Sequence, residues 1–220
     1  MAKLRDLKSW LGTTLGDVPR GNSLEKAGRE ARLFTVTSKG RDALDMVYTD
    51  FAVIIGMALT TINPIKAPGK VIEAIGLGLE SITIESEAWG EPAKSYHAQM
   101  WKAKHSFFGA WSDQSAEIVP QIDFAFPDVP LNFIGAVSSL FAYDRKQLMR
   151  FHPQDRIELT ESGPRLSIRL ELHQGDDLPR ATVFTFGNEA ESDFRQVRTT
   201  RTLYAESLNA LACMIRREGE

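Results

Sequence analysis

Apolar residues change their spacing twice along this chain. Leu4, Leu7, Leu11 and Leu15 recur every three or four residues, with Lys3, Arg5, Asp6 and Lys8 between them, which predicts a short amphipathic helix. Gly12, Gly16 and the run Gly-Asp-Val-Pro-Arg-Gly-Asn-Ser (16–23) then predict a loop. A polar helix follows from Ser23, carrying Leu24, Ala27 and Ala31. A stronger stripe of Leu44, Val47, Phe51, Ile54, Ala58 and Ile62 predicts a helix that Ser38 could cap and Asn63-Pro64 stops.

From residue 80 the period becomes two. Ile82 and Ile84 alternate with Ser81, Thr83 and Glu85, a strand with one polar face. Residues 94–111 fit either a helix through Tyr96, Met100, Ala103 and Phe107 or a hairpin strand returning along 80–88. Residues 116–126 favour a strand containing Pro120, and 131–150 are again helical. Three strands are predicted at 156–161, 165–172 and 181–187, the first two joined by the turn Ser162-Gly163-Pro164. Finally Phe194, Val197, Arg201, Tyr204, Leu208, Leu211 and Ile215 step by three and four, which predicts one long terminal helix.

The expected architecture is α+β. N-terminal helices precede a mostly antiparallel sheet of about five or six strands, with a long C-terminal helix packed on it. Residues 1–35 read as an N-terminal helical arm and loop, and residues 36–220 as a single α+β domain.

Two uncharged stretches, 51–65 and 129–143, call for a membrane test. Both are shorter than the ~20 residues a spanning helix needs, and buried core helices explain them. The N-terminus lacks the apolar core and cleavage site of a secretory signal. No transmembrane span is expected; the leucine face of the arm suits docking on the body of the protein, with peripheral membrane contact or a partner protein as the alternative.

Composition excludes the unusual classes. Hydrophobic residues are 43% and charged residues 25%, ordinary for a folded domain. Lys and Arg number 26 against 29 Asp and Glu, a net charge of -3, so no general basic field points to nucleic acid. The single Cys213 allows no internal disulfide and lies among apolar neighbours, where a thiol is inert. Low cysteine use fits a cytoplasmic setting.

Catalytic signatures are missing. His97, His105, His152 and His173 have neither the i, i+4 spacing nor the neighbouring ligands of a zinc site, and no metal or cofactor is expected. Gly76-Leu77-Gly78-Leu79-Glu80-Ser81 lacks the third glycine of a dinucleotide fingerprint and leads into a strand; its glycines turn a helix into that strand. Two features remain. Arg201 interrupts the terminal apolar stripe, and on a helix Arg195, Arg198 and Arg201 would form an oblique basic column for an anion or a partner. Trp101, Phe107, Phe108 and Trp111, interleaved with Lys102 and Lys104, suit a ligand pocket or an interface.

These features favour a non-enzymatic binding or interaction protein of accessory or adaptor type. It would engage another macromolecule, a protein rather than nucleic acid, through its β-rich half and terminal helix. One alternative is a carrier of a small hydrophobic ligand or lipid; another is an enzyme of unrecognised family acting on a phosphorylated or acidic substrate.

Overall fold

A computed structural model describes residues 4–35, 47–60, 63–86, 94–97, 132–147, 151–160, 165–172, 180–187 and 199–216. Four helices come first: α1 (Leu4–Thr14), α2 (Val18–Glu30), α3 (Tyr48–Thr60) and α4 (Ala67–Ile75). Strands β1 (Leu79–Ser86) and β2 (Lys94–His97) precede α5 (Phe133–Gln147). The chain then forms β3 (Arg156–Thr160), β4 (Arg165–Leu172), β5 (Arg180–Phe186), β6 (Thr200–Tyr204) and α6 (Ala205–Arg216). The six strands form one sheet, ordered β2-β1-β5-β4-β3-β6, with every neighbouring pair antiparallel. The fold is α+β, as the changes of period predict.

Two expectations need correction. Residues 16–23 are not all loop. The Asp17 side chain accepts from the Arg20 N–H at 2.9 Å, Pro19 occupies the first turn, and α2 therefore begins at Val18. The terminal helix is also shorter than predicted, because residues 200–204 are the edge strand β6. Thr200, Thr202 and Tyr204 are residues that suit a pleated surface, and pairing with β3 outweighs the weak helical periodicity around Arg201.

Between residues 94 and 111, Lys94–His97 take the hairpin reading and pair with β1. The remainder of that stretch, and the strand expected at 116–126, lie outside the described residues. Gly76 and Gly78 do turn helix α4 into β1. None of the helices among the described residues is long and apolar enough to cross a membrane.

One buried cluster joins the helices to one face of the sheet. Leu7, Trp10 and Leu11 from α1, Leu24 from α2, residues of α3 and α4, and Phe133 and Phe141 from α5 all belong to it. So do Leu208, Leu211 and Ala212 from α6. The sheet contributes Ile157, Leu159, Leu166, Ile168, Phe184, Phe186 and Leu203, which lie opposite one another across β6, β3, β4 and β5. Helix α3 is buried on every side from Asp50 to Thr60, which explains why its sequence is apolar all round.

Helix α1 is firmly seated. Leu7 and Leu11 are fully buried, and the Trp10 indole N–H donates to the Ser207 carbonyl at 2.8 Å. Gly21 allows α1 and α2 to touch through their backbones: a Cβ there would lie 2.6 Å from the Gly12 Cα.

Candidate functional site

With one face of the sheet in the core, the opposite face presents the polar members of each alternation. A first row crosses five strands as Thr202, Glu158, Ser167, Thr185 and Ser81, each directly opposite the next. A parallel row runs through Tyr204, Arg156, Arg169, Val183 and Thr83. Tyr204 stands 62% exposed at the rim, whereas Arg169 and Thr185 are 8% exposed at the centre.

The charges on this face are held in pairs. Arg156 donates through Nε to Glu158 Oε1 at 3.1 Å, and the Thr202 hydroxyl reaches the same oxygen at 3.3 Å. Arg156 and Arg169 are cross-strand partners, an arrangement that is unfavourable for like charges unless each is compensated. Glu158 serves Arg156, and Arg169 Nη1 donates to the Gln154 carbonyl at 3.3 Å.

The second ion pair depends on an irregularity. The register of β1 against β5 shifts between Leu79 and Ser81, so Glu80 is the extra residue of a β-bulge. Its carboxylate lies 3.6 Å from Arg165 Nε; the Glu80 side chain is 9% exposed and that of Arg165 44%. The oxygen facing Arg165, Glu80 Oε2, is buried and among the described residues has this ion pair but no hydrogen bond.

Other polar clusters are structural. Asp50, 1% exposed, accepts from the Thr35 N–H, the Thr35 hydroxyl and the Val47 N–H, joining the chain after α2 to the start of α3. Asn209 exchanges two hydrogen bonds with the Phe151 backbone, at 2.8 and 3.0 Å, and so fixes α6 against the approach to β3. Asp155 Oδ2 accepts from the His152 N–H at 2.8 Å in the turn that opens β3. Among the described residues no group of His, Cys, Asp and Glu is placed to hold a metal ion.

Of the residues singled out in the sequence, Arg201 is on β6 rather than on a helix. It lies opposite Leu159, on the core side of the sheet edge, and is partly buried. A helical column through Arg201 is therefore not formed. Arg195 and Arg198 lie outside the described residues, as do Trp101, Phe107, Phe108, Trp111, His105 and His173. Cys213, expected to be buried, is exposed; Leu211 and Ala212 take the core positions beside it.

The outer face went unrecognised as a unit, although its signal was present. Arg156-x-Glu158-x-Thr160, Arg165-x-Ser167-x-Arg169 and Thr200-x-Thr202-x-Tyr204 are the polar halves of three adjacent strands. Comparison with known proteins finds no matching family model, no curated relative and no similar solved structure.

Proposed function

We propose that this chain is a non-enzymatic binding protein that engages another macromolecule through its β-rich half and the adjoining terminal helix. The observation that supports this reading is the asymmetry of the sheet. One face is sealed by helices, while the other carries compensated ion pairs, a row of hydroxyls and the exposed Tyr204 at its rim. A face of this kind offers donors and acceptors in fixed register with little net charge, which suits selective contact rather than electrostatic capture. Helix α6 extends directly from β6 and carries Glu206, Ala210 and Cys213 on its exposed side. A lone exposed thiol suits a reducing compartment such as the cytoplasm.

Site-specific photo-crosslinkers at Thr202 and Tyr204, with Lys70 on α4 as the control position, test the proposal in native lysate. A discrete crosslinked species from the two sheet positions and none from Lys70 supports it. A lone monomer in every case, or equal labelling at all three positions, overturns it.

A further inference from the structure

We propose that α4 and the turn before it touch the surface of an anionic lipid bilayer, with Ile65 and Ile72 entering the interface and Lys66 and Lys70 beside the head groups. Helix α4 buries Ala67, Val71 and Ala74, a stripe of steps of four and three. On a surface helix the positions opposite such a stripe are ordinarily charged or polar. Here they are Ile65, Gly69, Ile72 and Gly76, about 180° around the axis from the core stripe, and all four are exposed. Ile65 is 89% exposed, more than any other large apolar side chain among the described residues, and Ile72 is 56% exposed. The turn holds Ile65 in phase with the helix. Its N–H donates to Asn63 Oδ1 at 2.9 Å, and the Asn63 carbonyl accepts from the Ala67 N–H at 3.1 Å. Lys66 already has helical angles, φ -88° and ψ -13°. Little ordering is left for the moment of contact.

Shape and charge select the occupant. A Cβ added at Gly69 would have nothing within 4 Å, so the two isoleucines stand on an open ridge. A stable protein interface takes about 800 Å² from each partner and centres on anchors set in pockets, more than one short helix offers. A bilayer needs no complementary shape: exposed apolar side chains enter the head-group region, and cations beside them are drawn to anionic lipid. Lys66 and Lys70 lie one turn apart on one flank of the ridge, and both are exposed. Among the described residues Lys66 has no ion pair, and Lys70 has only the exposed Glu73, at 3.4 Å. The leucine face of α1 cannot serve in the same way, because Leu7 and Leu11 are fully buried. Contact through two isoleucines and two lysines is weak and reversible, no stronger than a single acyl chain gives.

The test is sedimentation of the full chain with vesicles of phosphatidylcholine alone and of phosphatidylcholine with about 30% phosphatidylserine. Binding to the anionic vesicles should be tighter by about fivefold or more, and raising NaCl from about 0.1 M to about 0.5 M should release the protein. Ile65→Ser and Ile72→Ser should each weaken binding about fivefold, and Lys66→Glu about tenfold, whereas Glu73→Gln should strengthen it about threefold. All four positions are exposed, so each variant should melt within about 2 °C of the parent. No binding to anionic vesicles, equal binding to both compositions, or undiminished binding by Ile65→Ser overturns the proposal. A change in the sedimentation of Ile65→Ser without vesicles also overturns it, since a second copy of the chain would then cover this face. The proposal is separate from the binding reading above. A bilayer yields no discrete protein crosslink at Lys70, and either reading can fail while the other stands.

Discussion

The Trp10 indole donates to the Ser207 carbonyl at 2.8 Å, a hydrogen bond between residues 197 positions apart that links the first described helix to the last. Trp10 is only 2% exposed, so packing and hydrogen bonding act together. Trp10→Phe removes the donor and is expected to cost about 1 kcal/mol, whereas Trp10→Ala should cost about 3–5 kcal/mol through the cavity it opens. Urea denaturation followed by fluorescence and circular dichroism separates the two. An undiminished stability of Trp10→Phe would show that the hydrogen bond adds nothing to packing.

Glycine substitutions should divide by what a methyl group meets. At Gly21 it would lie 2.6 Å from both the Cα and the N of Gly12, backbone atoms that cannot turn aside. Gly21→Ala is therefore expected to separate α1 from α2 and cost about 1–3 kcal/mol. Gly69, in the first turn of α4, has nothing within 4 Å, and Gly69→Ala should stabilise the protein by about 0.4–1 kcal/mol. Opposite shifts in melting temperature are the measurement.

Asp50 is expected to be among the most sensitive polar positions. Asp50→Ala leaves the Thr35 and Val47 amides without their carboxylate, at a cost of about 2–4 kcal/mol, since hydrogen bonds to charged groups contribute about 1.5–3 kcal/mol. Asp50→Asn retains one acceptor oxygen and should lose less. Hydrogen exchange at those two amides reads the local effect: both should accelerate by more than the change in global stability requires.

Asn209 acts as a side-chain substitute for strand pairing with Phe151. Asn209→Ala should cost about 1–3 kcal/mol. Asn209→Asp keeps the acceptor for the Phe151 amide but sets a carboxylate against the Phe151 carbonyl, and should be at least as damaging at neutral pH. Partial recovery of the aspartate variant on acidification would check that explanation, because a protonated carboxyl can donate where the amide did.

Most of the architecture could be read from spacing alone, because burial on one side imposes a period of 3.6 on a helix and two on a strand. Strands β3, β4 and β5 show this well: Ile157 and Leu159, Leu166 and Ile168, and Phe184 and Phe186 all alternate into the core. The segment 199–204 could not be assigned in this way. Arg201, Tyr204 and Leu208 suit a helical count, and only the neighbouring β3 decides that Arg201 and Tyr204 belong to a sheet. The bulge at Glu80 was equally hidden, since one unpaired residue changes the register of two strands without altering the composition of either. The candidate site follows the same logic. Its members are polar residues set by alternation, and they converge only when strands distant in sequence are placed side by side.

The junction of β6 and α6 has a consequence for the order in which the molecule can assemble. The strand ends at Tyr204 and the helix begins at Ala205, so the sheet edge and the support for Trp10 are made by one continuous segment. During synthesis α1 emerges well before α6, yet its leucine and tryptophan face gains that partner only after residues 200–212 have left the ribosome. Until then Leu7, Trp10 and Leu11 lack part of their cover, and β3 lacks its outer neighbour. Assembly of this fold thus waits on one segment, which both completes the β3 side of the sheet and closes the helical layer over α1.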